Sequence, residues 1–217
     1  MKPHKSQTSR SKTRLPPMNW FGLVAGVLML VLPFLGPWWS ASVGTGAMDL
    51  ALSPFDYDIS LLEQPISSTL VGYFLLAAKL SIIIGGALMI VGSVGPKRWW
   101  GRRLVRFGAM RVFWMLIGLI ALLLLGAFFM NSILPSLLGG MGGEEVAMQL
   151  NVPYVTGTTT STIQMGDAAT VTAPITASLT GIFWVAVLAA ALGVAARIYH
   201  RRFVKPEKAV KSEKPKK

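Results

Sequence analysis

Long apolar stretches alternate with short charged segments along this chain. Each apolar stretch is as long as the roughly 20 helical residues that a bilayer core of about 30 Å requires. The four stretches cover about residues 20–39, 66–95, 112–134 and 175–196. The pattern predicts an all-α integral membrane protein whose residues 18–203 form an antiparallel four-helix transmembrane bundle.

The charged segments alternate in sign. Of the 21 Lys and Arg residues, 20 lie in three segments: before the first stretch, between the second and third, and after the fourth. In the other two connecting segments every charged residue is acidic. Lys and Arg accumulate in cytoplasmic loops. We therefore expect a multi-pass protein of the cell (plasma) membrane, with both termini cytoplasmic. The long basic segment before the first stretch favours a retained signal-anchor over a cleaved secretory signal.

The two acidic segments, residues 40–65 and 135–174, have features of β-structure. Strand-like runs flank the turn Gly44-Thr45-Gly46, a third run follows Pro54, and the later segment is rich in Thr and Val. The expected strands are residues 39–43, 48–52, 56–60, 152–155, 158–165 and 169–172, with two helical turns over 144–150. Together they predict a small extracytoplasmic β cap on the bundle.

The inner segments are basic. Residues 96–111 form an amphipathic loop that interleaves arginine with aromatic side chains, a composition typical of an interfacial helix at anionic lipid headgroups. The candidate headgroup residues are Arg98, Trp99, Trp100, Arg102, Arg103, Arg106 and Arg111. The tails, residues 1–17 and 204–217, are polar and basic, and we expect them to be disordered.

Lys79 is the exception to the charge partition because it lies inside the second apolar stretch. An ionisable residue within a membrane span suggests a functional site. Counting from the inner boundary near Pro96 puts Lys79 about one turn below the outer surface, where its stem can snorkel. Asp49, Asp56 and Asp58 in the preceding segment can each offer it a carboxylate, and Asp56 and Asp58 are the candidate site residues. Snorkelling or structural pairing is favoured over a role in ion or substrate passage and over a contact with another subunit.

Small residues at four-residue spacing predict where the helices approach one another closely. These candidates are Gly22 and Gly26 in the first stretch, Ala77, Ser81 and Gly85 in the second, and Ala189 and Gly193 in the fourth. Packing within one bundle is favoured over a dimer or partner interface.

Nothing in the sequence predicts catalysis. Its 217 residues include no cysteine and two histidines, and no metal, nucleotide or hydrolase motif is present. The net charge of +12 lies beside the apolar stretches, so it is explained by topology and not by nucleic-acid binding. We expect no enzyme, no cofactor and no metal site.

The expected function is that of a non-catalytic accessory or scaffold subunit. It would contact other membrane or cell-surface proteins through its outer sheet and helix faces, or assemble as a homo-oligomer, in a bilayer with anionic headgroups on its cytoplasmic side. The alternative is a subunit of an oligomeric channel or transporter with Lys79 in the path.

Overall fold

A computed structural model describes residues 18–44, 46–95, 101–141, 146–149, 151–165 and 169–203. The helices are α1 (Trp20–Val31), α2 (Thr69–Val94), α3 (Gly101–Phe128), α4 (Leu134–Met141) and α5 (Gly181–Phe203). A short 3-10 turn, Leu32–Phe34, follows α1, and a π-helical turn, Phe129–Ile133, joins α3 to α4. The strands are β1 (Trp39–Val43), β2 (Met48–Leu52), β3 (Tyr57–Leu61), β4 (Gln64–Pro65), β5 (Val146–Gln149), β6 (Gly157–Met165) and β7 (Ala169–Leu179).

Among the described residues, three helical segments are long and apolar enough to cross a membrane. They are Thr69–Val94, Arg103–Leu137 and Gly181–Tyr199. The apolar helix Trp20–Phe34 is shorter. At 1.5 Å per residue it covers about 22 Å, less than a bilayer core of about 30 Å. The architecture is therefore that of a membrane protein with an antiparallel sheet in addition to its helices.

Helices α1, α2, α3 and α5 pack side by side. Helices α1 and α3 each contact α2 and α5, and they also contact each other over a smaller area. Glycine makes the approach of α1 and α2 close. A Cβ on Gly26 would lie 2.6 Å from Cγ1 of Ile90 and 3.0 Å from the carbonyl oxygen of Gly86. Gly22 faces the Ser93 side chain in the same interface. On the other side of the group, Gly193 of α5 meets Ala109 of α3.

A buried asparagine forms hydrogen bonds that connect three of these helices at one end. Asn19 caps α1 by accepting a hydrogen bond from the backbone N–H of Gly22, and its amide donates to the carbonyl of Ala196 in α5. Its backbone N–H donates to the carbonyl of Ser93 in α2. Because the Asn19 side chain is fully buried, these partners satisfy polar groups that would otherwise be costly to remove from water.

In the described part of the chain the strands form a seven-stranded antiparallel sheet in the order β4-β3-β2-β1-β7-β6-β5. The two halves of the sheet come from distant parts of the sequence and meet at the β1–β7 pair, where Trp39 lies opposite Leu179 and Val43 opposite Ile175. Both predicted outer segments therefore contribute to one sheet.

The sheet lies at one end of the helices, where α1 leads into β1 and β7 leads into α5. Trp38 is fully buried at this junction, with its ring edge-on to Phe55 at 5.6 Å and to Phe183 of α5 at 6.5 Å between ring centroids. The Trp39 indole N–H donates to the carbonyl of Val155 at 2.6 Å. These contacts continue the helical core into the sheet.

The ends of the first and fourth apolar stretches differ from prediction. The first is predicted to be helical over residues 20–39, but α1 ends at Val31 and Trp39 begins a strand. Pro33 and Pro37 lack the N–H that a continuing helix needs. The fourth is predicted to begin at residue 175, but β7 runs to Leu179 and α5 begins at Gly181. Residues 175–179 alternate polar with apolar and pair with β1, so the sheet is larger than the small cap expected.

Two further elements differ from prediction. Residues 101–111, predicted as part of a separate interfacial loop, are the first three turns of the continuous helix α3. They pack against α2, where a Cβ on Gly108 would lie 2.8 Å from the carbonyl oxygen of Gly85. Residues 146–149, predicted as helix, form strand β5 against β6. The predicted strand at 152–155 is irregular, whereas β1 and β2 have the predicted bounds. Both predicted tails lie outside the described residues.

We predict that Gly26→Ala destabilises the protein while Gly118→Ala does not. The added methyl at Gly26 forces α1 away from α2, and overpacking of this kind costs about 1–3 kcal/mol. A methyl added to Gly118 of α3 would meet no atom within 4 Å, so there alanine gains up to about 1 kcal/mol of helix propensity. Thermal unfolding in mild detergent measures both. A Tm for Gly26→Ala equal to that of Gly118→Ala would contradict the close approach.

Candidate functional site

One face of the sheet carries hydroxyl and carboxylate side chains in two rows that cross four strands. In the first row Asp58, Ala51, Ser40 and Ser178 lie side by side on β3, β2, β1 and β7. In the second row the neighbours are Ser60, Asp49, Ser42 and Thr176, and Thr158 of β6 extends it. Because side chains alternate between faces, this face is polar while Trp39, Ala41, Ile175 and Ala177 on the other face are buried.

The polar face contains an open cavity of about 320 Å³, lined by the residues of both rows on β1, β2, β3 and β7 together with Ala41 and Leu50. Asp49 and Asp58 are exposed there, on adjacent strands. Ser40 and Ser178 bridge β1 and β7 with hydroxyl oxygens 3.3 Å apart. The cavity therefore offers negative charge and many hydroxyl groups to a molecule that approaches the sheet.

Asp56 has a different role from Asp58. Its carboxylate accepts a hydrogen bond from the backbone N–H of Tyr57 at 2.9 Å, and its backbone N–H donates to the Ser53 hydroxyl at 2.9 Å. Ser53 is buried, and its hydroxyl also accepts from the backbone N–H of Phe55. Asp56 thus belongs to the turn that joins β2 to β3, and only Asp58 of this predicted pair lines the polar face.

Lys79 is half-buried on α2, with its ammonium nitrogen 5.0 Å from the centroid of the Phe34 ring. A cation over an aromatic face is attracted by the ring quadrupole. Among the described residues no hydrogen bond or ion pair joins Lys79 to Asp56 or Asp58, so the three predicted residues do not form one site.

A second surface lies between α2 and α3, at the half of the helices away from the sheet. It is a cavity of about 640 Å³ that combines arginine with apolar side chains. Its lining residues are Ser81, Arg103, Arg106, Phe107, Met110, Arg111, Trp114 and Met115. The sequence pattern assigns all three arginines to lipid headgroups and puts Arg111 at the end of a surface loop, whereas the Arg111 guanidinium reaches the middle of α2.

The remaining predicted positions are distributed as follows. Arg98, Trp99 and Trp100 lie outside the described residues, and Arg102 lies in the first turn of α3. Of the small residues, Gly22, Gly26, Gly85, Ala189 and Gly193 are buried at helix contacts. Ser81 is half-buried and contributes its carbonyl to Arg111, and Ala77 is exposed and outside these contacts.

The described part of the chain contains no group of three or more His, Cys, Asp or Glu residues placed to hold a metal ion. Comparison of the chain with protein-family models, curated proteins and solved structures gives no match. The two surfaces themselves are therefore the basis for a functional proposal.

We predict that Lys79 and Phe34 stabilise the protein as a pair. Lys79→Met removes a cation–π contact of about 0.5–1 kcal/mol, which for a chain of this size lowers Tm by about 1–4 °C. In a Phe34→Leu background the same substitution should have no further effect, because the ring is already absent. Thermal unfolding of the four proteins measures this coupling. Additive losses would contradict the pairing.

Proposed function

We propose that this protein is a non-catalytic, multi-pass membrane protein that acts as an accessory or scaffold subunit. It contacts other membrane or cell-surface proteins through its sheet and its helix faces. The observation that carries the proposal is the polar face of the sheet, where Asp49 and Asp58 stand exposed among hydroxyl groups on four paired strands. Such a surface is rigid and specific in pattern, which suits recognition of a protein partner.

The sheet-side half of α2 supports a second contact. Leu70, Tyr73 and Phe74 are each about 70% exposed, and the buried residues of α2 lie in its other half, from Ile82 to Ser93. An apolar helix uncovered on nearly all sides is suited to lipid or to a helix of another membrane protein. In this proposal the helix half and the sheet face the same partner assembly.

The proposed topology has four helices in the plasma membrane, with the N- and C-termini cytoplasmic and the sheet outside. Its support is the distribution of arginine: Arg103 and Arg106 begin α3, and Arg201 and Arg202 end α5, all at the end away from the sheet. The proposed cytoplasmic surroundings are a bilayer surface with anionic headgroups, and nucleic acid is not a proposed partner.

The topology predicts opposite labelling of two introduced cysteines, and the absence of native cysteine makes each of them unique. Glu63→Cys is exposed in the β3–β4 turn, whereas Ser212→Cys lies in the C-terminal tail. A membrane-impermeant maleimide should label Glu63→Cys in intact cells and Ser212→Cys only after permeabilisation. The reverse result would invert the proposed orientation.

Charge reversal on the sheet should separate partner binding from folding. We expect Asp58→Lys to lower recovery of co-purifying proteins about tenfold, equivalent to about 1.4 kcal/mol, because it opposes the charge that a complementary partner would match. Glu63→Lys is the matched control: Glu63 is exposed in the β3–β4 turn, away from both polar rows. Mild-detergent purification followed by quantitative mass spectrometry measures both variants.

Two outcomes would contradict the accessory-subunit proposal. Equal recovery from Asp58→Lys and wild type would mean that the polar face is not the contact surface. Purification of the chain alone as a homo-oligomer would favour the alternative, a subunit of an oligomeric channel or transporter with Lys79 in the path. Flux with and without Lys79→Met would then decide that alternative.

A further inference from the structure

We propose that the cavity between α2 and α3 binds a single anionic lipid of the cytoplasmic leaflet, with its phosphate held by Arg103, Arg106 and Arg111. The inference rests on the membrane placement proposed above, which puts the start of α3 at the cytoplasmic surface. It goes beyond a general attraction of basic residues to the bilayer, because it assigns one lipid to one cavity, which is open along the helix surface.

Arg111 is an arginine of this cavity whose side chain is held in place by contacts with both helices. Its guanidinium donates a hydrogen bond from Nη1 to the carbonyl of Ser81 at 3.0 Å, and its carbon atom lies 4.3 Å from the centroid of the Phe107 ring. These two contacts fix the plane of the side chain, which is half-buried. A guanidinium has five N–H donors, and the bond to Ser81 uses one. The others suit a phosphate, which arginine binds in bidentate geometry.

Along α3 the lining begins with two arginines and ends with two apolar residues, and Arg111 lies between Met110 and Trp114. Arg103, Arg106, Phe107, Met110, Arg111 and Trp114 fall on one side of the helix, at spacings of three and four residues. From Arg103 to Trp114 the rise is about 16 Å. Arg103 and Arg106 are at the end nearest the proposed cytoplasmic surface, whereas Trp114 and Met115 are deeper. This order matches a lipid, whose headgroup is charged and whose chains are apolar.

Charge complementarity favours an anionic occupant. Three of the eight lining residues are arginines and none is acidic, so an anionic headgroup matches the charge of this lining better than a zwitterionic one. Trp114 is 62% exposed and Phe107 47%, which gives the acyl chains an apolar wall continuous with the bilayer. The volume of about 640 Å³ is in the range of ligand sites and suffices for a headgroup with the upper parts of its chains.

The test is native mass spectrometry of the purified full-length protein in mild detergent, titrated with phosphatidylglycerol or with phosphatidylcholine of the same chain length. We expect one phosphatidylglycerol to bind at least tenfold more tightly than phosphatidylcholine. Arg111→Gln should weaken that binding about tenfold, and Arg106→Gln, whose side chain is exposed and thus dispensable for folding, should also weaken it. Arg202→Gln removes the same charge from the end of α5, outside the cavity, and should change the affinity less than twofold.

A further variant and a competitor distinguish a lipid site from a phosphate site. Trp114→Ala should weaken phosphatidylglycerol binding, and millimolar inorganic phosphate should not displace the lipid. Displacement by phosphate alone, or an unchanged affinity in Trp114→Ala, would overturn the lipid assignment. Equal losses in Arg202→Gln and Arg111→Gln would show that general surface charge accounts for binding, and would also overturn it.

Different experiments test the lipid site and the proposed function. Partner recovery from Asp58→Lys reports on the sheet, which lies at the other end of the helices from the cavity. Cysteine labelling reports on orientation. Loss of selectivity for phosphatidylglycerol with normal labelling and normal partner recovery would reject the lipid site alone.

Discussion

The pairing of β1 with β7 is the interaction on which the architecture depends. Five residues of each strand lie opposite one another, and the pairing is extended at both ends, where Gly44 donates its N–H to the carbonyl of Pro174 and Thr180 donates its N–H to the carbonyl of Trp38. Without it, the chain before α2 would form only short strands and the chain before α5 a separate hairpin. Neither has enough apolar surface for a core of its own. The pairing also brings the end of α1 close to the start of α5, because β1 follows α1 after residues 32–38 and α5 follows β7 after Thr180.

Close packing of the helices follows from small residues as much as from apolar ones. Lipid is as apolar as leucine, so helices within a membrane gain stability from backbone approach and from hydrogen bonds between them. The first is provided by Gly22 and Gly26 against α2 and by Gly193 against α3. The second is provided by Asn19, which joins α1 to α2 and α5 at the end away from the sheet. The helices are therefore held at both ends, by a buried amide at one and by the sheet at the other.

The two candidate surfaces differ because their surroundings differ. On the sheet, polar side chains point away from the core and stay in water, so Asp49 and Asp58 need no fixed partner. Beside α3, Arg111 lies among apolar groups, and its contacts with the Ser81 carbonyl and the Phe107 ring offset the removal of its charge from water. The charge of Lys79 is stabilised in a similar way, but among the described residues only by its contact with the ring of Phe34. The position of Lys79 within an apolar stretch identifies it in the sequence, whereas only the packing of α2 against α3 shows the contacts of Arg111.

Local signals along the chain were enough to predict the apolar helices and the strands β1, β2 and β3, because periodicity, turn residues and proline act on neighbouring residues. They also predicted the small residues at which α1 meets α2, since the four-residue spacing is a property of one helix. The local signals gave the wrong starts for α3 and α5 and the wrong conformation for residues 146–149. These features depend on what each segment packs against. Only the folded chain shows that two distant segments share one sheet, that Asp58 joins the polar face while Asp56 closes a turn, and that Arg111 meets Ser81. The shared sheet and the Arg111 contact join residues far apart in the chain, and their energy comes from pairing and burial that exist only when both partners are in place.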